Sequence, residues 1–254
     1  MKYIDVLNYL YPIYPRQVGL PARRDIYSVE ELYYVISKYN GKKRISVSLY
    51  DVTSTKRVPS LIPFIWIDLD TDPWKNMIKL HRWLVERDVR HTIVMSGNGY
   101  HFYIFTDQEY ISDPKMTLYR AHEHIADETG IEIDESGKGD VMRMAGVPGT
   151  FNTKRHRFAV FVSESMIAKG HDFILRYAER NRFGVFRIFG KENFDLSLVG
   201  DYSASDGIVF SDEEVEILNT EINTDEILSK LPSCVKAMLA KLRTLDSSWR
   251  ERFM

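Results

Sequence analysis

Apolar residues between residues 28 and 162 follow two different periods, one typical of strands and one typical of helices. The apolar run 61–67 predicts a buried strand, and residues 91–95 and 100–105 predict two more strands joined by the tight turn 96–99. Shorter β-branched or alternating runs predict further strands at residues 44–51, 131–134, 141–147 and 157–162.

Three segments instead show the spacing of amphipathic helices. Residues 28–39 open with Ser28 and carry Glu31 three positions later, a capping-box pattern. Residues 73–88 form the second helical segment, and residues 113–129 end before Gly130, a typical C-cap. The order β, α, β, β, α, β predicts an α/β chain of the α+β type, built around an RNA-recognition-like sheet.

The end of the chain differs in composition from the part before it. Residues 201–222 are acidic and rich in serine, which indicates a surface linker. Residues 223–254 contain a helix with one apolar face, formed by Val235, Met238, Leu239, Leu242 and Leu245. A single helix cannot bury such a face alone. We therefore expect residues 1–200 to form the main domain and residues 223–254 to begin a helix bundle that continues in a longer chain.

The composition is that of a globular protein and excludes several classes. Cys234 is the single cysteine among 254 residues, which excludes an intramolecular disulfide framework and a cysteine-based zinc site and favours a reducing compartment. Neither a signal-peptide pattern nor an apolar span of about 20 residues is present. We therefore predict a cytoplasmic protein with no membrane partner.

The formal net charge of −2 hides an uneven distribution of charge. Acidic residues predominate between residues 201 and 221. Basic residues form two clusters, at Lys138, Arg143, Lys154, Arg155 and Arg157, and at Arg176, Arg180, Arg182, Arg187 and Lys191. Clustered basic residues in a chain of ordinary net charge are compatible with a surface that binds nucleic acid.

Two carboxylates stand at the end of the strand predicted at residues 61–67. Because side chains alternate along a strand, Asp68 and Asp70 are expected on one face, with Leu69 turned into the core. Carboxylate oxygens on one face suit hard divalent cations. A lone pair of this kind is more often a surface turn or helix cap, so the metal interpretation depends on what accompanies it.

The accompanying feature is the turn Ser96-Gly97-Asn98-Gly99, followed closely by His101. Glycines let backbone N–H groups approach an anion, and Ser96 and His101 add side-chain donors. Taken alone, the turn could be an ordinary hairpin. Together with Asp68 and Asp70, it predicts a site that holds both a metal and a phosphate.

The spaced motifs DLD, SGNGYH, IEID and RMAGVPGTFNTK resemble the catalytic core of the archaeo-eukaryotic primase superfamily, especially the primase-polymerases of archaeal plasmids and viruses. Residues 16–20, 23–28 and 45–50 are similar to the region that precedes the first of these motifs, so the resemblance covers residues 10 to 165. It implies a primase/polymerase that makes and extends primers on single-stranded DNA from NTPs or dNTPs, with two Mg²⁺ or Mn²⁺ ions.

The resemblance also implies roles for particular residues. The metal ligands would be Asp68, Asp70 and Asp134, with Asp140 as the alternative third ligand. The nucleotide would be bound by Ser96, Gly97, Asn98, Gly99, His101, Arg143, Asn152 and Lys154. The template backbone would be contacted by Arg155, Arg157, Arg180, Arg182 and Arg187.

Departures from the family leave alternatives open. The Cys/His zinc stem of many members is absent from this sequence, and Gly146 stands where an arginine is common. Residues 231–239 resemble the start of a helix-bundle domain, while a fused helicase module is not seen. The alternatives are an end-joining or gap-filling polymerase of the same superfamily that does not initiate, and a non-catalytic nucleic-acid binding module.

Overall fold

The structure is a computed structural model that describes residues 2–20, 22–52, 61–107, 111, 113–180 and 184–199, without the side chain of Ser136. The chain divides into two units, Met1–Tyr202 and Ser203–Met254, and every described residue belongs to the first. The predicted linker at 201–222 and helical segment at 223–254 lie outside the described residues. In the described part, no helix has the length and apolar character needed to cross a membrane.

The described residues form a mixed α+β fold, as predicted. The α-helices are α1 (Tyr3–Leu10), α2 (Val29–Tyr39), α3 (Pro73–Glu86), α4 (Pro114–Thr129), α5 (Glu164–Ile167) and α6 (His171–Arg180). The strands are β1 (Arg16–Leu20), β2 (Ala22–Ile26), β3 (Ser46–Ser48), β4 (Phe64–Leu69), β5 (His91–Met95), β6 (Tyr100–Phe105), β7 (Met144–Gly146), β8 (Phe151–Asn152), β9 (Arg157–Phe158) and β10 (Val160–Phe161).

The central sheet has the strand order β10-β5-β6-β4, and all neighbouring strands are antiparallel. Because β6 is antiparallel to both β4 and β5, those two strands run parallel to each other with β6 between them. Helix α3 connects β4 to β5. This is the split βαβ arrangement that the order of elements predicts. β4 therefore lies at an edge of the sheet.

A second sheet has the order β2-β1-β3-β7, and residues in the segments next to its strands contact one face of the central sheet. The Tyr11 and Tyr103 hydroxyls lie 3.3 Å apart. The Tyr50 hydroxyl, in the segment after β3, donates to the Phe64 carbonyl of β4 at 3.2 Å. Helices α3 and α4 contact β4, and Trp74 of α3 lies 6.2 Å from the Tyr100 ring. The central sheet is thus covered on both faces.

Several predicted elements are confirmed by the structure. Strands β5 and β6 have the predicted ends, with the turn 96–99 between them. Ser28 caps α2 by accepting from Glu31 N at 3.3 Å, while Glu31 Oε2 accepts from Tyr27 N at 2.9 Å. Gly130 ends α4 in the left-handed region, at φ 62°. There, an L residue with a Cβ would be strained.

Other predicted boundaries are wrong. β4 begins at Phe64, because Pro63 has no N–H group to donate to a neighbouring strand. The strand predicted at 44–51 is reduced to β3. Residues 131–134 form no strand at all, since they lie between the cap at Gly130 and a 3₁₀ turn at Glu135–Gly137 and have no neighbour to pair with. The central sheet takes its fourth strand from β10 instead of from residues 131–134.

Candidate active site

Asp68 and His101 lie directly opposite each other on β4 and β6. The Asp68 Oδ1 and His101 Nε2 atoms are 3.4 Å apart, and Asp68 Oδ2 is 3.8 Å from Arg143 NH2. Trp66 packs against both of these groups, because its ring centroid lies 4.8 Å from that of His101 and 5.6 Å from Arg143 Cζ. The strand pairing therefore fixes one carboxylate between an imidazole and a guanidinium.

The two carboxylates of the Asp-x-Asp motif differ in their affinity for a proton. Burial of Asp68 opposes its ionisation, but His101, Arg143 and Arg44 outweigh burial and lower the pKa of this carboxyl. Burial raises the pKa of Asp70, and the nearby charge of Asp68 raises it further. Asp68 is thus the more firmly ionised carboxylate, and a cation between the two would stabilise both charges.

The glycine turn packs against the Asp-x-Asp motif. A Cβ on Gly99 would lie 2.4 Å from Asp70 Oδ1 and 2.7 Å from the Leu69 carbonyl oxygen, distances that real Cβ atoms do not adopt. Gly97 has φ 123°, which a side chain also disfavours. A side chain is therefore excluded at Gly99 by the close approach of neighbouring atoms, and it is disfavoured at Gly97 by the backbone conformation.

Donors within the glycine turn are partly used to hold its shape. Ser96 N and Ser96 Oγ both donate to the Gly99 carbonyl, at 2.9 and 3.3 Å, and Gly97 N donates to Met95 Sδ at 3.0 Å. Among the described residues, the N–H groups of Asn98 and Gly99 have no hydrogen-bond acceptor. These two N–H groups could bind an anion, whereas the Ser96 hydroxyl already has an acceptor.

A first cavity of ≈ 280 Å³ opens between the two motifs. Its wall brings the carboxylates Asp68 and Asp70 together with donors predicted from the sequence, and those donors are Ser96, Asn98, Gly99, His101, Asn152 and Lys154. Arg44 and Arg155 also line this cavity. A negatively charged ligand of nucleotide size would find both a cation-binding pair and several positive groups here.

Asn152 holds the wall of the first cavity together. Its Nδ2 donates to the Ser96 carbonyl at 3.1 Å, and its Oδ1 accepts from Lys154 N and Arg155 N at 3.1 and 3.3 Å. The amide therefore joins the glycine turn to the segment that carries Lys154 and Arg155. In this geometry Asn152 orients neighbouring donors, and a direct contact with a sugar or phosphate stays a prediction.

A second cavity, of ≈ 260 Å³, is also lined by Asp68 and Asp70. Asp134, Glu132 and Arg143 line it. Arg143 was predicted to bind the nucleotide together with Lys154, but it faces this second cavity and not the first. The two aspartates thus form a wall shared by two neighbouring cavities.

The structure places the two candidates for the third acid differently. Asp134 shares the second cavity with Asp68 and Asp70. Asp140 lines neither cavity, and its Oδ1 accepts from Met142 N at 2.9 Å while its carbonyl oxygen accepts from Arg143 N at 3.3 Å. Asp140 therefore shapes the backbone that leads to Arg143.

His122 of α4 joins the segment with Asp134 to the edge of the central sheet. Its Nε2–H donates to the Trp66 carbonyl at 2.9 Å, and its Nδ1 accepts from Gly139 N at 3.2 Å. Burial lowers the pKa of His122, so the neutral ring matches both hydrogen bonds. His122 acts as a clamp between β4 and residues 131–139.

The donor set of the site suits a hard divalent cation. Among the described residues, no three His, Cys, Asp or Glu side chains are placed to share one metal ion. Mg²⁺ in proteins is commonly held by one or two carboxylates, completed by water and substrate phosphate. Asp68 and Asp70 supply such a pair, and Asp68 Oδ1 is a buried oxygen whose contact with His101 Nε2 at 3.4 Å does not meet hydrogen-bond geometry.

The basic residues predicted to contact a template are not all brought together. Arg155 is exposed beside the first cavity. Arg157 is occupied locally, because it donates to the Gly97 carbonyl at 3.4 Å and to Glu179 Oε1 at 3.1 Å. Arg180 and Arg187 are exposed but line neither cavity. Arg182 lies outside the described residues.

Three residues of the site were not singled out from the sequence: Arg44, His122 and Glu132. Arg44 and Glu132 are exposed charged residues, of a kind found throughout the chain. Their places in the cavities depend on contacts distant in sequence. Only a weak indication of the role of His122 was present in the sequence. A histidine in the middle of an amphipathic helix can be exposed, or it can be buried, and a buried histidine needs hydrogen-bond partners.

No protein-family model matches the chain, and no curated protein sequence matches it. Among solved structures, the chain is similar to the polymerase domain of ligase D from Mycobacterium tuberculosis in complex with DNA. The TM-score is 0.41 and the sequence identity is 14%, over 66% of this chain and 72% of that chain. At this identity and TM-score, the likeness carries no inference about the activity or substrates of this chain.

Proposed function

We propose that this chain is a template-directed nucleotidyltransferase, a primase/polymerase of the archaeo-eukaryotic primase superfamily. It synthesises and extends primers on single-stranded DNA from nucleoside triphosphates. One observation carries the proposal: Asp68 and Asp70 line both of two cavities whose other walls differ in chemistry. A transfer reaction needs such an arrangement, with one substrate on each side of the reacting atoms.

The first cavity would hold the incoming nucleotide. His101, Lys154 and the N–H groups of Asn98 and Gly99 are positive groups or donors on its wall. They would bind and orient the β- and γ-phosphates. Asn152 would keep Lys154 and the turn at a fixed separation through the hydrogen bonds described above.

The second cavity would hold the 3′ end of the primer. Its wall shares Asp68 and Asp70 with the nucleotide cavity and adds Asp134. In the transfer, the primer 3′-oxygen forms a bond to the α-phosphorus as the bond to the bridging oxygen breaks and diphosphate leaves. Two Mg²⁺ or Mn²⁺ ions held by Asp68, Asp70 and Asp134 would activate that hydroxyl and offset the phosphate charge. Arg143 would keep the Asp68 carboxylate oriented and ionised.

Substitution of Asp68 by Asn tests the proposal. The variant keeps the size of the side chain but removes the charge that would hold a cation, so nucleotide transfer to a primed single-stranded DNA should fall by at least a hundredfold. The binding of template should change little. Asp25→Asn, an exposed residue of β2 in neither cavity, is the matched control. Full activity of Asp68→Asn would exclude this site as the catalytic centre.

A second assay separates primer synthesis from extension. The chain is incubated with labelled NTPs or dNTPs and either Mg²⁺ or Mn²⁺, on unprimed and primed templates. Products on the unprimed template support a primase. Products on primed or gapped templates alone would support an end-joining or gap-filling polymerase. The absence of products on any template would support a binding module.

A further inference from the structure

The outer face of α2 exposes tyrosine rings to solvent. Tyr27, Tyr33 and Tyr34 are 67%, 43% and 58% exposed. A globular protein normally buries most of the area of such rings, so several exposed aromatics on one helix and its N-terminal flank mark a binding surface.

Lysines are interleaved with these rings toward the C-terminal end of α2. Lys38 Nζ lies 5.5 Å from the Tyr34 ring centroid and 5.5 Å from that of Tyr39, and it donates to the Tyr34 hydroxyl at 3.3 Å. Lys43 Nζ lies 5.7 Å from the Tyr39 ring centroid. Tyr34, Lys38, Tyr39 and Lys43 thus form a continuous row, here named the tyrosine–lysine track, in which Tyr34 is exposed and Tyr39 is half-buried.

The charges of the track are not balanced locally. Neither Lys38 nor Lys43 pairs with a carboxylate in the part of the chain that the structure describes. The acids of the helix near this face, Glu30 and Glu31, both lie at the start of α2, and Glu31 accepts a hydrogen bond from Tyr27 N. The positive potential therefore increases from the start of α2 toward its end.

The basic end of the track adjoins the first cavity. Arg44 follows Lys43 in sequence and lines that cavity. Asn40, directly after α2, donates through Nδ2 to the Gly149 carbonyl at 3.0 Å and accepts from Phe151 N at 2.8 Å. Phe151 is also part of the cavity wall. The end of α2 is thus fastened to the wall of the candidate active site.

We propose that the tyrosine–lysine track binds a single-stranded nucleic acid, with one base stacked on the exposed ring of Tyr34, the next against the half-buried edge of Tyr39, and phosphates paired with Lys38 and Lys43. Surfaces that combine aromatic rings with a line of cations bind single strands in this way, without reading sequence. The identification of this strand as the template rests on the proposed function. The binding itself rests on the exposed ring of Tyr34 and the unbalanced charge of the two lysines alone.

Binding of a labelled oligothymidylate to the full chain, without nucleotide or divalent ion, tests the track. Tyr34→Ala should raise the Kd about tenfold, because it removes a stacking ring. Lys38→Ala should lower the slope of log K against log salt by about 0.7, the loss expected for one phosphate contact on a single strand. Lys38→Arg keeps the charge and should restore the slope.

Matched controls exist elsewhere in the chain. Tyr119 on α4 is 39% exposed, and Lys169 lies 4.7 Å from the Phe173 ring centroid, so Tyr119→Ala and Lys169→Ala remove similar groups outside the track. Both should bind the oligonucleotide like the unchanged chain. If Tyr34→Ala and Lys38→Ala also do so, the proposal is overturned and the surface is left to a protein partner.

The same variants separate this proposal from the proposed function. If the track carries the template, Tyr34→Ala raises the KM for template while the KM for nucleotide and the kcat at saturating template stay unchanged. Asp68→Asn should show the opposite pattern, with transfer lost and oligonucleotide binding kept. The unchanged chain could prove to have no transferase activity while the track variants still lose oligonucleotide binding. That result would support the nucleic-acid site and reject its role in binding a template.

Discussion

Gly99 lies so close to Asp70 that a Cβ at position 99 would be 2.4 Å from the Asp70 Oδ1 oxygen. The turn after β5 and the carboxylate after β4 are therefore packed as one unit. A substitution in the turn would act on the carboxylate through steric contact, and a substitution of the carboxylate would leave the turn without its neighbour.

Gly99→Ala should reduce nucleotide transfer more than it reduces stability. The added methyl group must displace the Asp70 carboxylate, because its other close neighbour is the Leu69 backbone oxygen. Overpacking of this kind costs about 1–3 kcal/mol, while the displaced carboxylate should lower the transfer rate by more than tenfold. Gly137→Ala is the control, since a Cβ there meets nothing within 4 Å. Thermal unfolding and primer extension measure the two effects.

Asp134→Asn and Asp140→Asn decide between the candidates for the third acid. Asp134 shares a cavity with Asp68 and Asp70, whereas Asp140 accepts a hydrogen bond from Met142 N. Loss of charge at Asp134 should lower transfer by at least tenfold and raise the Mn²⁺ concentration needed for half-maximal activity. Asp140→Asn should keep the metal dependence unchanged. The reverse pattern would make Asp140 the third ligand.

His101→Ala should weaken nucleotide binding. The His101 ring lies on the wall of the first cavity, with Nε2 3.4 Å from Asp68 Oδ1. If the imidazole binds phosphate, the KM for nucleotide rises about tenfold and much of the rate returns at high nucleotide concentration. His124→Ala, which removes a ring packed near Trp83 and Phe194, is the control. An unchanged KM with a lost kcat would contradict the phosphate role.

Stability should fall in mild acid because of His91. The His91 side chain is fully buried, and burial lowers its pKa to about 3. The unfolded chain has the ordinary histidine pKa near 6.5. Between these values the unfolded state binds more protons than the folded state, so the free energy of unfolding decreases as the pH falls from about 6.5 toward 3.

This residue alone contributes a slope of at most about 1.4 kcal/mol per pH unit. Urea unfolding at several pH values between about 7 and 5 measures the slope. His91→Phe should reduce it and leave the part that comes from His81 and His122, whose pKa values burial also lowers. A phenyl ring can occupy the space between Phe102 and Phe189 without titrating. The exposed His156, changed to Ala, is the control and should leave the slope as it is. Equal slopes for His91→Phe and the unchanged chain would contradict the assignment.

The parts of the fold predicted from the sequence are those decided by local signals. Ser28, Gly130 and the turn 96–99 impose caps and a hairpin through their own chemistry. Residues 131–134 alternate like a strand, but a strand needs a neighbour with a free edge, and no pattern within four residues reveals one. β3 is likewise shorter than the strand predicted at residues 44–51, because its pairings with β1 and β7 extend only over residues 46–48.

The site was predictable where its residues follow strand ends. Alternation predicted Asp68 and Asp70 on one face, and His101 was predicted from its place beside the glycine turn. The strand register then puts His101 opposite Asp68 across β4 and β6. The hydrogen bonds of Asn152 to the glycine turn and of His122 to Gly139 join segments distant in sequence. Such contacts depend on how the elements pack, which composition and period do not determine.

The two segments that His122 joins, β4 and residues 131–139, differ in local stability. Asp68 belongs to a strand hydrogen-bonded along its length to β6, whereas Asp134 belongs to a segment that has no strand neighbour among the described residues. That segment is held by side-chain contacts, among them the His122 hydrogen bond to Gly139 N and the ion pair of Lys138 with Glu123. The segment can therefore open with little effect on the sheet. Amide hydrogens of residues 131–134 should exchange with solvent much faster than those of 65–69. Assembly of a complete set of carboxylates would then be an ordering step that precedes chemistry.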